Sequence, residues 1–237
     1  MLFDDIYQVL RRVEQAHFLV FDFDGVLCDS VEVKTRAFAD IYKSFGEEVV
    51  SKVITHHRGN GGMSRFKKFE YYHKHLLGEA ISPSKVMNLS NEFSKNVKDK
   101  VINSAEIPGA NNFLQYCIQR DKQCSVNSAT PQDEIREIVD AKGWARFFSI
   151  VLGSPSCKTD NLTEIISFNQ CRANQVLFFG DALSDFQAAK NAGVDFVGVG
   201  GGVRDALAND PQYFYHINNF LEINRLINEN ATKNLSR

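Results

Sequence analysis

Five short, continuous apolar runs, each with a polar or glycine residue at or next to its end, constrain this chain more than anything else in it. They are HFLVFDF (residues 17–23), QCSVNS (123–128), FSIVLG (148–153), VLFFGD (176–181) and DFVGVG (195–200). Runs of this length without polar alternation suit parallel strands covered on both faces. Helical patterns separate the later runs: Ala110–Arg120, Gln132–Lys142 stopped by Gly143, Asp160–Asn169, and Ser184–Ala192 stopped by Gly193. A glycine just past the last helical residue is the expected stop, because it takes the left-handed conformation cheaply. The alternation predicts an α/β fold, a doubly wound parallel sheet with right-handed crossovers.

Residues 31–104 break the rhythm. Ala37, Phe38, Ile41, Tyr42 and Phe45 share one helical face before Gly46, and SRFKKFEYYHKHLLG and, after Pro83, SKVMNLSNEFSKNVKDKV continue as helices without a strand pattern. The prediction is an all-helical subdomain (31–104) inserted into a core made of residues 1–30 and 105–237, a size that fits one core domain with a smaller insertion. The lysines of SKNVKDK read as a solvated helix face. Leu2, Ile6, Val9, Leu10 and Val13 recur at helical spacing and predict a helix before the first strand.

Composition excludes several classes. A net charge of −2 gives no general attraction to nucleic acid or to an anionic membrane surface. No apolar stretch has the length of a membrane span, and the start of the chain carries Asp4 and Asp5 where a secretory signal would be basic. Five cysteines without a C-x-x-C pair read as free thiols. The expectation is a cytoplasmic protein, a monomer or dimer, with Cys28 as a small apolar filler.

In an open α/β sheet, ligands bind beyond the carboxyl ends of the strands, so the polar residues where apolar runs stop are the candidates. They are Asp22 and Asp24 after the first run, Ser128 after the second, Lys158 in the loop after the third, and Asp181 and Asp185 after the fourth. Asp22, Asp24 and Asp181 converging at one rim would repel by about 4 kcal/mol per pair at ~4 Å and an effective dielectric near ~20. A cation belongs among them. Oxygen-only ligands favour Mg²⁺, which takes one or two carboxylates, waters and substrate phosphate; zinc is disfavoured without His or Cys in the cluster. Lys158, the Ser128 hydroxyl and turn amides would complete a receptor for a phosphoryl group. An aspartate can act as nucleophile while a second carboxylate moves the proton, and Gly25 could let the backbone approach the phosphate.

DFDGVLCDS, SAT, the Lys158 loop and GDALSD resemble the four motifs of the haloacid dehalogenase-like superfamily, in its phosphoglycolate phosphatase-like and sugar-phosphatase branch. The helices at 31–104 match the position of that branch's helical cap. The resemblance implies a Rossmann-like core with Asp22 as nucleophile and metal ligand, and Asp24 as general acid/base, binding metal through its carbonyl. It further implies that Gly25, Ser128, Ala129 and Lys158 contact phosphate, with Lys158 orienting the nucleophile, Asp181 binding Mg²⁺ and Asp185 supporting them. Haloalkanoate dehalogenases lack an acid at the position of Asp24, so phosphoryl transfer is favoured over dehalogenation. The expected activity is Mg²⁺-dependent hydrolysis of a small phosphorylated metabolite, a sugar phosphate or phosphoglycolate-like ester, through an aspartyl phosphate. The alternatives are a β-phosphoglucomutase-like phosphomutase, which keeps the same motifs, and a non-catalytic binding module, against which the complete motif set argues. Asn127 departs from the pattern, being polar where the second-motif strand usually stays apolar.

Substrate choice is expected from THHRGNGGMSRFKKF (residues 55–69), which gathers His56, His57, Arg58, Arg65, Lys67 and Lys68 around glycines. One reading is a specificity loop with His57, Arg58 or Arg65 touching the leaving group; the other is a solvated inter-helix loop. GVGGGV (198–203) resembles a dinucleotide fingerprint but has Val203 at the third glycine position, so a plain loop is expected. His17, His73, His75 and His216 show no metal-binding spacing.

Overall fold

The structure, a computed structural model, describes residues 2–208, 210, 213 and 215–235. Its strands are β1 (Phe18–Phe21), β2 (Gln123–Pro131), β3 (Phe148–Ser154), β4 (Val176–Gly180), β5 (Asp195–Val199) and β6 (Tyr215–Ile217). They form one parallel sheet in the order β3-β2-β1-β4-β5-β6. All five predicted strands are present within a few residues. The short edge strand β6, centred on His216 and too brief and polar to show an apolar run, was not anticipated.

Side chains along β1 alternate between two layers, as the strand period of two requires. Phe21 stacks on Phe179 with ring centroids 4.9 Å apart and meets Phe113 edge-on at 6.2 Å. That side is covered by α1 (Leu2–Gln15), α6 (Ala110–Gln119), α7 (Gln132–Ala141) and α11 (Leu221–Leu235). Val20 points the other way, into a cluster with Phe178 and Phe196 under α8 (Lys158–Phe168), α9 (Leu183–Ala192) and α10 (Gly201–Leu207). The result is a three-layer α/β/α core. In α1, Ile6, Val9, Leu10 and Val13 are buried as their spacing predicts, while the Leu2 side chain lies outside the described set.

Between β1 and β2 the chain is helical: α2 (Val31–Tyr42), α3 (Glu47–Gly59), α4 (Arg65–Tyr71), a π-helical turn (Tyr72–Leu77) and α5 (Pro83–Ile102). Phe38 is its hub, with Phe93, Phe69 and Tyr72 at centroid distances of 4.3, 5.5 and 5.8 Å. Ser64 and Ser82 cap α4 and α5 by accepting the amides of Lys67 and Lys85, and Pro83 takes the first turn, where its missing N–H costs nothing. One expectation needs correction. Phe45 leaves the apolar face because the chain tightens into a 3₁₀ turn at Lys43–Phe45, which leaves it 46% exposed. The lysines of SKNVKDK lie on a solvated face as expected, where Lys98 also reaches Glu137 of α7 at 2.8 Å in an exposed ion pair.

Candidate active site

The strand order turns at β1, whose neighbours β2 and β4 lead to opposite edges of the sheet, and a crevice opens beyond the carboxyl ends at such a point. Asp22 and Asp24 follow β1, and Asp181 and Asp185 follow β4. Ser128, Ala129 and Thr130 occupy the end of β2, where its register with β3 slips between Asn127 and Pro131. β2 therefore runs three residues past the expected stop at Ser128. Lys158 corrects another expectation: it is the first residue of α8 and not a loop residue. Its carbonyl accepts the Asn127 Nδ2 at 2.9 Å, and Asn127 Oδ1 accepts Asn161 Nδ2 at 3.0 Å. The polar Asn127 thus pins the lysine's backbone from within the sheet.

Lys158 Nζ lies 2.7 Å from Asp22 Oδ2 and 2.5 Å from Asp185 Oδ1, all three side chains being buried. Burial works against the lysine's charge, but Asp185 and Asp22 outweigh it and hold its pKa above the usual value. The second oxygen of Asp185 accepts the Ala182 amide at 3.1 Å, so this carboxylate is fully engaged in fixing Lys158 and the turn after β4. Asp22 Oδ1 accepts the Phe23 amide at 2.6 Å. Gly25 sits at φ +79°, and a Cβ there would come within 2.1 Å of Asp181 Oδ2, so conformation and space both demand glycine.

Asp22, Asp181 and Asp185 each offer an oxygen within 4.8 Å of the others. With Lys158 as the one cation among them, the ionised cluster carries a formal charge of about −2, the complement of a divalent cation. Asp181 faces the cavity with no hydrogen-bond donor among the described residues, and burial followed by Asp22 and Asp185 pushes its pKa well above the carboxylate range. Burial, only partly countered by Lys158, pushes Asp22 from 3.8 up to about 7. An unpartnered carboxylate in an oxygen-only cluster fits a hard metal ion such as Mg²⁺.

These shifts set a pH dependence. A carboxyl whose folded pKa is raised binds its proton more tightly in the folded state, so its stabilising contribution is present at acid pH and is lost as pH rises from 3.8 through about 7. The metal-free protein should therefore lose stability between about pH 4 and about pH 7, and Mg²⁺ should restore it. Thermal melts of wild type and Asp22→Asn check this: the variant's profile should be shallower, and parallel profiles would refute the link to Asp22.

Asp24 has a different environment. Its carboxylate receives Lys34 Nζ, Ser30 Oγ at 2.5 Å and Thr130 Oγ1 at 3.3 Å. Burial alone would raise its pKa, but Lys34 and these hydrogen bonds hold it below the usual carboxylate range. Lys34 also donates to Thr130 Oγ1 at 2.7 Å, so one lysine of α2 ties the helical insertion to two motif ends.

A cavity of about 550 Å³ lies between core and insertion. Asp22, Asp24, Gly25, Ala129, Thr130 and Asp181 line its core side, and Lys34, His57, Arg58, Arg65 and Lys68 its helical side. Ser128 and Lys158 stand behind this lining, and the Ser128 hydroxyl accepts the Thr130 amide at 3.1 Å. Residues 60–64 dock onto the core where the Gly62 amide donates to Ser184 Oγ at 3.1 Å, an approach so close that a Cβ on Gly62 would meet that oxygen at 2.3 Å.

The basic segment at 55–69 is not one loop. His56, His57 and Arg58 end α3, and Arg65, Lys67 and Lys68 belong to α4. Arg65 is buried with its fork on Glu134 of α7, at 2.9 and 2.5 Å, and it also donates to Ser94 at 2.7 Å. Arg58 pairs with Glu32 at 3.1 Å, while Lys67 is exposed. His57 accepts from Lys68 Nζ at 2.8 Å inside the cavity. GVGGGV is more than a plain loop, since Gly201 opens α10 and Gly200–Val203 lines the cavity. Lys34 and Thr130 were not singled out from the sequence, and Lys68 was noted only as one of the basic residues of 55–69. A signal existed for Lys34, which shares the apolar face of α2 with Phe38, one turn on.

The profile of the haloacid dehalogenase-like hydrolases matches residues 19–199, from β1 to the end of β5. This chain belongs to that family. Among curated relatives, a phosphoglycolate phosphatase of Vibrio parahaemolyticus is 27% identical over 194 residues, 74% of this chain and 79% of its own. One from Psychrobacter arcticus is 25% identical over 195 residues, 76% of this chain and 82% of its own. In fold, β-phosphoglucomutase from Clostridium difficile matches with a TM-score of 0.73 at 16% identity, covering 94% of this chain and all of its own. The hydrolase has no helix long and apolar enough to cross a membrane among the described residues.

Proposed function

We propose that this hydrolase is a Mg²⁺-dependent phosphatase that forms an aspartyl phosphate on Asp22. The observation that carries the reading is the opposite treatment of two aspartates on one cavity. Asp22 is clamped by Lys158 within the acidic cluster, while Asp24, two residues on, is turned to Lys34 and Thr130. The similarity to phosphoglycolate phosphatases supports a phosphate ester as substrate.

In this reading a carboxylate oxygen of Asp22 attacks phosphorus, the ester bond breaks, and the leaving oxygen takes a proton from Asp24. Lys34 keeps Asp24 ionised in the free enzyme, and the arriving phosphoryl dianion raises its proton affinity, as a nearby like charge does, so that Asp24 takes up from solvent the proton it then gives to the leaving oxygen. Asp24 then removes a proton from water as that oxygen attacks the acyl phosphate, releasing phosphate and restoring Asp22. Asp22, Asp181 and the Asp24 main-chain carbonyl would hold Mg²⁺, whose bound charge offsets that of the phosphoryl oxygens. Lys158 fixes the attacking carboxylate, and Ser128, Ala129 and Gly25 shape the phosphoryl site. The helices of 31–104 act as a cap that closes the cavity over the substrate.

A panel of sugar phosphates and phosphoglycolate, assayed for phosphate release with and without Mg²⁺, tests the reading. Release that requires Mg²⁺ supports it. Isomerisation of a sugar phosphate without net release would replace hydrolysis by a phosphomutase reaction.

A further inference from the structure

Among the described residues, the cations around the cavity are paired with acids, with one exception. Lys34 is held by Asp24, Arg58 by Glu32, Arg65 by Glu134 and Lys158 by Asp22 and Asp185. Lys68 is only 2% exposed, and its one hydrogen bond among the described residues goes to His57 Nδ1. His57 is no counter-ion: burial and then Lys68 push its pKa down to about 3, so it is neutral and accepts. The other neighbour is the face of Phe38, whose centroid lies 5.5 Å from Nζ.

An ammonium group has three donors, so two of those on Lys68 remain without a protein acceptor. Buried charge of this kind is costly unless an opposite charge joins it. Burial, followed by the charge of Lys34, pushes Lys68 down to about 7, and the charge of Asp24, which makes no ion pair with it, counters this only in part. The cavity also exceeds what a phosphoryl group needs: its 550 Å³ matches the volume of roughly eighteen waters at about 30 Å³ each.

We propose that Lys68, oriented by His57, receives an oxyanion on the part of the substrate that leaves, so that the enzyme selects phosphate esters bearing a second acidic group, a carboxylate or another phosphoryl. The proposal rests on the phosphatase reading above. An ester with a neutral leaving group would leave Lys68 uncompensated in the closed site, and specificity arises from that cost as much as from the new contact.

The test uses matched pairs that differ in this group: glucose 6-phosphate against 6-phosphogluconate for a carboxylate, and fructose 6-phosphate against fructose 1,6-bisphosphate for a phosphoryl. Wild type should favour the acidic member of at least one pair by about tenfold or more in kcat/KM. Lys68→Met should cut kcat/KM for that member at least about tenfold more than for its neutral partner, and Lys68→Arg should retain the preference. Lys68→Gln serves if the methionine variant does not fold. Equal losses on both members would reduce Lys68 to a structural role and overturn the proposal, as would a wild-type preference for neutral esters. If wild type releases phosphate from none of the four with Mg²⁺, the phosphatase reading lacks support in this panel, and calorimetric binding of the same pairs decides on Lys68. Tighter binding of an acidic member that Lys68→Met abolishes upholds it; equal or absent binding overturns it.

Discussion

Asp22→Asn is expected to abolish turnover while leaving the fold intact. The amide keeps the shape of the side chain but offers one acceptor oxygen to two donors, the Phe23 amide and Lys158, so it keeps one of these contacts and cannot attack phosphorus. Removing a covalent catalyst's nucleophile elsewhere costs roughly 10⁶-fold in kcat, so residual activity should fall below detection. The substitution also removes a buried charge whose pKa is raised to about 7, so the metal-free variant should be no less stable than wild type near neutral pH. Steady-state kinetics and a thermal melt check both halves. A variant with wild-type rates would dismiss Asp22 as nucleophile, and one that is inactive only because it is unfolded would leave its melt far below wild type.

Lys158→Met is expected to damage catalysis and stability together. The lysine is the sole cation in contact with Asp22 among the described residues, and it neutralises Asp185 in the same buried space. Loss of one preorganised contact of this kind costs about 3 kcal/mol of transition-state stabilisation, a fall of 10² to 10³ in kcat. Two buried carboxylates would also lose their counter-ion, at about 3–5 kcal/mol before they take up protons. The melting temperature should fall by roughly 10 °C in a chain of this size. Arginine should not rescue, because its planar fork does not fit a point charge held between two carboxylates. Kinetics with saturating Mg²⁺ decide: a rise in KM with kcat unchanged would make Lys158 a ground-state binding residue and contradict its place beside the nucleophile.

Much of this site was legible because its signals are local. An aspartate that ends a buried run, as Asp22 and Asp181 do, is energetically anomalous in sequence alone, and the sheet rule brings such ends to one crevice. What stayed hidden depends on contacts distant along the chain. Lys34 meets Thr130 across 96 residues, and Arg65 meets Glu134 across 69. In sequence, Lys34 shows only its place on the apolar face of a helix and Arg65 only its place in a basic segment, and neither reveals its partner. Asn127 looked like a flaw in a strand until its role in holding the Lys158 carbonyl was visible. Arg65 and Lys68, one helical turn apart on α4, illustrate the limit best: both are basic and both line the cavity, yet one is neutralised by Glu134 and the other makes no ion pair among the described residues.

The central claim is a covalent phosphoryl intermediate on Asp22. Rapid acid quench of the enzyme during turnover of its best ester, followed by peptide mass spectrometry, tests it most directly. The account predicts a phosphoryl adduct on the peptide carrying Asp22, discharged by hydroxylamine as an acyl phosphate is, and absent from Asp22→Asn. An adduct on another residue, or steady phosphate release by an enzyme that never carries one on Asp22, would contradict it.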